Sequence, residues 1–118
     1  MEDSKFNNII NKLDYCSFPN FEVYLFTETC VDVKLTTISW ANEISWSFGS
    51  CNSSQPYFDD NVHTERCCLL PGEHALKCKD SYGDGWHGGF IEIKGAKYCE
   101  TFDSGSQMVE QVTCKIFL

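Results

Sequence analysis

Val31-Asp32-Val33-Lys34-Leu35-Thr36 alternates apolar and polar side chains without a break. A strand turns successive side chains to opposite faces, so this period of two predicts a β-strand with one buried face. Ile44-Ser45-Trp46-Ser47-Phe48 repeats the pattern and stops at Gly49, which assigns Trp46 to the core. Further strands are expected over 21–27, 63–69, 74–79, 90–94, 97–102 and 107–117. Pro71-Gly72, Gly95-Ala96 and Asp103-Ser104-Gly105-Ser106 supply the turns, with the Pro71-Gly72 corner read as a hairpin. Residues 50–61, rich in Ser, Asn, Asp and Gln around Pro56, read as a loop. Short strands at this spacing predict a mainly all-β fold, an antiparallel β-sandwich or jelly roll.

One segment departs from the β pattern. Phe6, Ile9, Ile10 and Leu13 fall at i, i+3, i+4 and i+7 behind Asp3 or Ser4, the spacing of a short amphipathic helix. The chain of 118 residues then divides into a helical segment over 1–15 and a sandwich over 16–118, together one domain.

Eight cysteines in so short a chain are a disulfide framework in an oxidising compartment. They are Cys16, Cys30, Cys51, Cys67, Cys68, Cys78, Cys99 and Cys114. Zinc is the competing use, but no Cys-x-x-Cys pair is present and adjacent cysteines suit tetrahedral coordination poorly. Neighbours on a strand point oppositely, so Cys67 and Cys68 should bond different partners, one in the core and one outside. With 105 possible pairings, the connectivity stays open. Asn52-Ser53-Ser54 is a glycosylation sequon at Asn52. A net charge of −8 disfavours nucleic acid and anionic membranes, and no stretch is long and apolar enough to span a bilayer.

Asp80-Ser81-Tyr82-Gly83-Asp84-Gly85-Trp86-His87-Gly88-Gly89 concentrates glycines, aromatic rings and two carboxylates in a single loop. Its Asp-x-x-x-Asp-Gly spacing matches the first half of a calcium loop, with ligands at positions 1, 3 and 5 and glycine at 6. The bidentate Glu of position 12 is absent: Ile91 stands there and Glu92 follows one residue late. Two aspartates pinned on one tight loop repel unless a cation, a basic side chain or water relieves them. The expected calcium ligands are therefore Asp80 and Asp84 through carboxylates, Tyr82 and Trp86 through carbonyls, and Glu92 as a distal carboxylate. Asp59, Asp60 or Glu73 are further candidates from elsewhere in the chain. The competing arrangement has the aspartates capping backbone amides and Trp86 plugging the core.

Trp86, Tyr82 and His87 are the expected ligand-contact residues, displayed by the loop beside the cation. Tyr57, Phe58 and Trp40 are further aromatic candidates for a sugar-stacking or protein-contacting surface, with Trp40, at the end of a strand, open between core and surface. No nucleophile elbow, zinc-protease motif or phosphate loop is present, so no enzyme activity is expected.

The 80–89 loop resembles a signature of small secreted modules from marine invertebrates, protists and some bacteria. Pro71-Gly72-Glu73-His74-Ala75-Leu76-Lys77-Cys78-Lys79 before it, and Glu43-Ile44-Ser45-Trp46-Ser47-Phe48-Gly49 further upstream, extend that likeness over about residues 37–100. The resemblance implies a small secreted β module and brings no activity with it. A looser likeness is to CUB domains, extracellular antiparallel sandwiches of similar size, many of which hold a protein ligand through calcium. Their usual four-cysteine pattern is not matched here, and the glycine loop is not theirs.

These readings converge on a secreted, calcium-binding recognition module for an extracellular protein or glycan. A disulfide-rich toxin or inhibitor and a structural or adhesive matrix protein are the alternatives.

Overall fold

The computed structural model describes residues 15–16 and 28–115. The expected N-terminal helix and the strand over 21–27 lie outside these residues. The described chain is almost entirely β: β1 (Tyr15–Cys16), β2 (Thr29–Thr37), β3 (Ile44–Phe48), β4 (Cys51–Asn52), β5 (Asn61–Leu69), β6 (Gly72–Asp80), β7 (Phe90–Ile93), β8 (Ala96–Tyr98) and β9 (Gln107–Lys115). They form two antiparallel sheets, ordered β1-β9-β6-β3-β4 and β5-β2-β7-β8.

Alternation in sequence becomes alternation in burial. On β2, Val31, Val33 and Leu35 are buried while Asp32 and Lys34 are exposed. On β3, Ile44, Trp46 and Phe48 are buried. Joined by Leu76 of β6, Ile91 and Ile93 of β7 and Val112 of β9, they make one core between the sheets. Removing this apolar area from water is the main favourable term holding the sandwich closed.

Two connections differ from the sequence reading. Pro71-Gly72 does not make a hairpin, because β5 pairs with β2 whereas β6 pairs with β3 and β9. The corner carries the chain from one sheet to the other, with Gly72 at φ 135°. The strand expected over 97–102 ends at Tyr98, since Cys99 takes φ 59° and turns the chain inward toward Cys78. Between β7 and β8, Lys94 and Gly95 both have positive φ, at 51° and 81°, the signature of a tight type I′ hairpin. Within the expected 50–61 loop, β4 forms a two-residue edge strand.

Three disulfides join Cys30 to Cys68, Cys51 to Cys67 and Cys78 to Cys99. The adjacent cysteines do take different partners. Cys67 is buried and ties β5 to β4 across the sandwich, while Cys68 is half-buried and bonds its register neighbour on β2. Cys78–Cys99 makes a second link between the sheets. Cys114 is also disulfide-bonded, and backbone pairing sets Cys16 opposite it. With no described cysteine left free, thiolate zinc coordination has no ligands here. The bonds suit an oxidising environment.

Candidate functional site

The 80–89 loop is built around Asp80, the last residue of β6 and only 2% exposed. The backbone amides of Gly83, Asp84 and Gly85 all donate to its Oδ2, at 2.8, 2.6 and 2.9 Å. Burial by itself raises the pKa of this carboxyl, but the converging hydrogen bonds outweigh it and hold the pKa below the usual carboxylate value. Asp80 thus takes the amide-capping role.

Glycine is required where the loop closes. Gly85 has φ 81°, and a Cβ there would stand 2.6 Å from both the Asp103 Cα and the Phe102 carbonyl oxygen. That close approach lets the Trp86 amide donate to the Phe102 carbonyl at 2.8 Å. Trp86 itself, expected as an exposed contact, is fully buried. Its indole N–H donates to the Lys79 carbonyl at 2.8 Å and its ring packs 5.8 Å from Phe102. A large ring with a satisfied polar edge is a core residue, and it presents nothing to a partner. Its carbonyl accepts from Gly89 at 2.9 Å.

The other expected ligands are dispersed. Glu92 lies on β7 in the opposite sheet, with Lys34 and Lys97 as its strand neighbours. Asp59 caps the Ala41 amide at 2.9 Å, whereas Asp60 and Glu73 are exposed. Tyr82 stands out in solvent at 77% exposure.

The structure gathers a different set. Register pairs Ile44 with Asp80, which carries the preceding Glu43 to the base of the loop. The Ser81 amide donates to the Glu43 carbonyl at 3.0 Å and fixes this approach. Ligand atoms of Glu43, Asp84 and His87 then lie within 4.8 Å of one another. Glu43 Oε1, Asp84 Oδ1 and His87 Nε2 are shielded from water and have no hydrogen-bond partner. His87 Nε2 is 3.3 Å from Asp84 Oδ2 but is not aligned to bond it. Burial, followed by the negative charges of Asp80 and Asp84, raises the pKa of Glu43; His87 opposes the shift. The fold concentrates negative charge here, and converging backbone amides stabilise only the Asp80 share of it.

Above this group is a cleft of about 260 Å³ lined by Trp40, Glu43, Tyr82 and Asp84. Trp40 is 58% exposed and has left-handed backbone angles, φ 58° and ψ 37°. That conformation costs a bulky residue about 1–3 kcal/mol. Its carbonyl accepts from Glu43 at 3.0 Å, closing the short 3₁₀ turn Ala41–Glu43. Tyr57 is buried and its hydroxyl donates to Glu65, while Phe58 is exposed. Asn52 is exposed on the edge strand β4.

Sequence reasoning missed Glu43 and left Trp40 open between core and contact surface, because both precede the loop by about 40 positions. The available signal was Glu43-Ile44-Ser45-Trp46, a strand whose start brings an acid to the level of Asp80.

The fold and site define a class: a small, disulfide-stapled antiparallel sandwich with an anionic, aromatic-walled cleft at one end. No family model, curated protein or solved structure matches the chain.

Proposed function

We propose that this chain is a secreted recognition module that meets an extracellular protein or glycan at the Trp40–Tyr82 cleft. One observation carries the reading. Two large rings project into solvent over two carboxylates, whereas Trp46, Trp86, Phe48 and Phe102 are buried. Exposed aromatics around a concave polar floor are characteristic of contact surfaces. The disulfides support an extracellular setting. The test is an array of extracellular proteins and glycans probed with the full chain and with a Trp40→Ala/Tyr82→Ala variant. Hits lost by the variant, with its melting temperature unchanged, support the proposal. Hits bound equally by both proteins would remove the cleft from the account.

A second reading adds a divalent cation, on the strength of the three unpartnered atoms of Glu43, Asp84 and His87. Calcium prefers an all-oxygen set, and an imidazole among the donors favours a zinc-like ion. Calorimetric titration with calcium and zinc chlorides, with melting curves in chelator, decides it. Absence of both heat and thermal shift ends the cation reading and leaves the recognition proposal standing.

A further inference from the structure

We infer that the group entering the cleft is a lysine or arginine side chain from a basic segment of a protein partner. The inference rests on the recognition reading above and specifies its ligand.

Four features support it. The lining of Trp40, Glu43, Tyr82 and Asp84 contains two aromatic rings, two carboxylates and no lysine or arginine. An alkylammonium or guanidinium group is attracted both by aromatic faces and by carboxylates, so one ligand chemistry satisfies all four walls. Size agrees: pockets for drug-sized ligands run about 300–1,000 Å³, and this cleft of about 260 Å³ suits one side chain. Charge is in surplus as well. Three amides hold Asp80 in its ionised form, but no hydrogen-bond donor meets Asp84 Oδ1 or Glu43 Oε1, and His87 stands only beside Asp84 Oδ2. Finally, a net charge of −8 steers a basic partner toward the molecule over longer range.

The experiment uses the full chain and a short lysine-containing peptide. Its acetyl-lysine twin is the neutral control, and calcium and zinc chlorides are the competing cations. Trp46 and Trp86 are buried while Trp40 is exposed, so acrylamide quenching reports on Trp40. The lysine peptide should shield Trp40 saturably, and the acetylated peptide should not. By calorimetry, Glu43→Gln, Asp84→Asn and Trp40→Ala should each weaken binding by about tenfold, and Trp40→Phe should retain most of it. Rising salt should weaken binding further.

Equal binding of the acetylated peptide, or affinity unmoved by all three variants, overturns the inference. Calcium or zinc binding that excludes the peptide also overturns it and assigns the carboxylates to a metal. Should the array depend on Trp40 and Tyr82 while the lysine peptide does not bind, the ligand class is wrong and the recognition surface stands. Failure of both removes the surface too.

Discussion

Replacing Asp80 separates a carboxylate that shapes the loop from one that binds a cation. Its Oδ2 accepts three amides at 2.6–2.9 Å in a site only 2% exposed. Hydrogen bonds to a charged group contribute about 1.5–3 kcal/mol each, but three donors sharing one oxygen sum to less than three independent bonds. Asp80→Ala, which leaves all three amides unpaired, should cost about 3–5 kcal/mol. Asp80→Asn keeps a neutral acceptor and should cost about 1–2 kcal/mol. Set against a typical domain stability of ~5–15 kcal/mol, either loss is large. Asp84→Asn removes no backbone acceptor and should stay within about 0.5 kcal/mol. Urea unfolding with the disulfides intact measures all three. The pH dependence has a definite sign, because the folded pKa of Asp80 is depressed. Its contribution is present above the unfolded carboxylate value and is lost as pH falls through the lower folded value, so the gap between wild type and Asp80→Asn narrows below about pH 4. An Asp80→Ala deficit under about 1 kcal/mol would refute the capping argument. So would a deficit that appears only in the presence of calcium.

Glu43 should behave in the opposite sense. Its pKa is raised in the folded state, so the fold loses stability as pH climbs from the unfolded value through the folded one. Glu43→Gln should therefore melt above wild type at pH 7, with the difference closing in acid; a lower melting temperature at pH 7 contradicts this. Gly85→Ala should cost about 2–4 kcal/mol, through its positive φ and its 2.6 Å contacts, whereas Gly83→Ala, with nothing within 4 Å, should cost about 1 kcal/mol. Equal costs in urea unfolding would undo the close-packing explanation. Removing Cys51–Cys67 or Cys78–Cys99 as a Cys→Ser pair should each destabilise by about 3 kcal/mol on chain-entropy grounds, from separations of 16 and 21 residues. Unchanged unfolding midpoints would show that hydrophobic burial alone holds the sheets together.

Local pattern carried the fold well and the site poorly. Val31–Thr36 and Ile44–Phe48 became strands with the expected inward faces, and the vicinal cysteines diverged as strand geometry requires. Pro71-Gly72 reads as a turn from its residues, but nothing local states whether the next strand pairs with the last one or joins the other sheet. Trp86 illustrates the limit at the site. Its burial depends on Phe102 and on the close approach at Gly85, both long-range events. The spacing of Asp80 and Asp84 shows that two charges are near each other, not which of them the backbone amides will converge on. Strand register alone brings Glu43 to Asp84 and His87, and register is a property of the whole sheet.

Asp80, Trp86 and the glycines set the loop's course from inside, so its outward residues are released from that task. Tyr82 and Asp84 can be exchanged for other side chains over an unaltered skeleton, as can His87 and, across the gap, Trp40 for residues that are not β-branched, since these two hold positive φ. Immunoglobulin variable regions achieve the same division with hypervariable tips on a constant frame. Randomising these four codons should yield a library of folded variants with new specificities, in a scaffold stapled against unfolding.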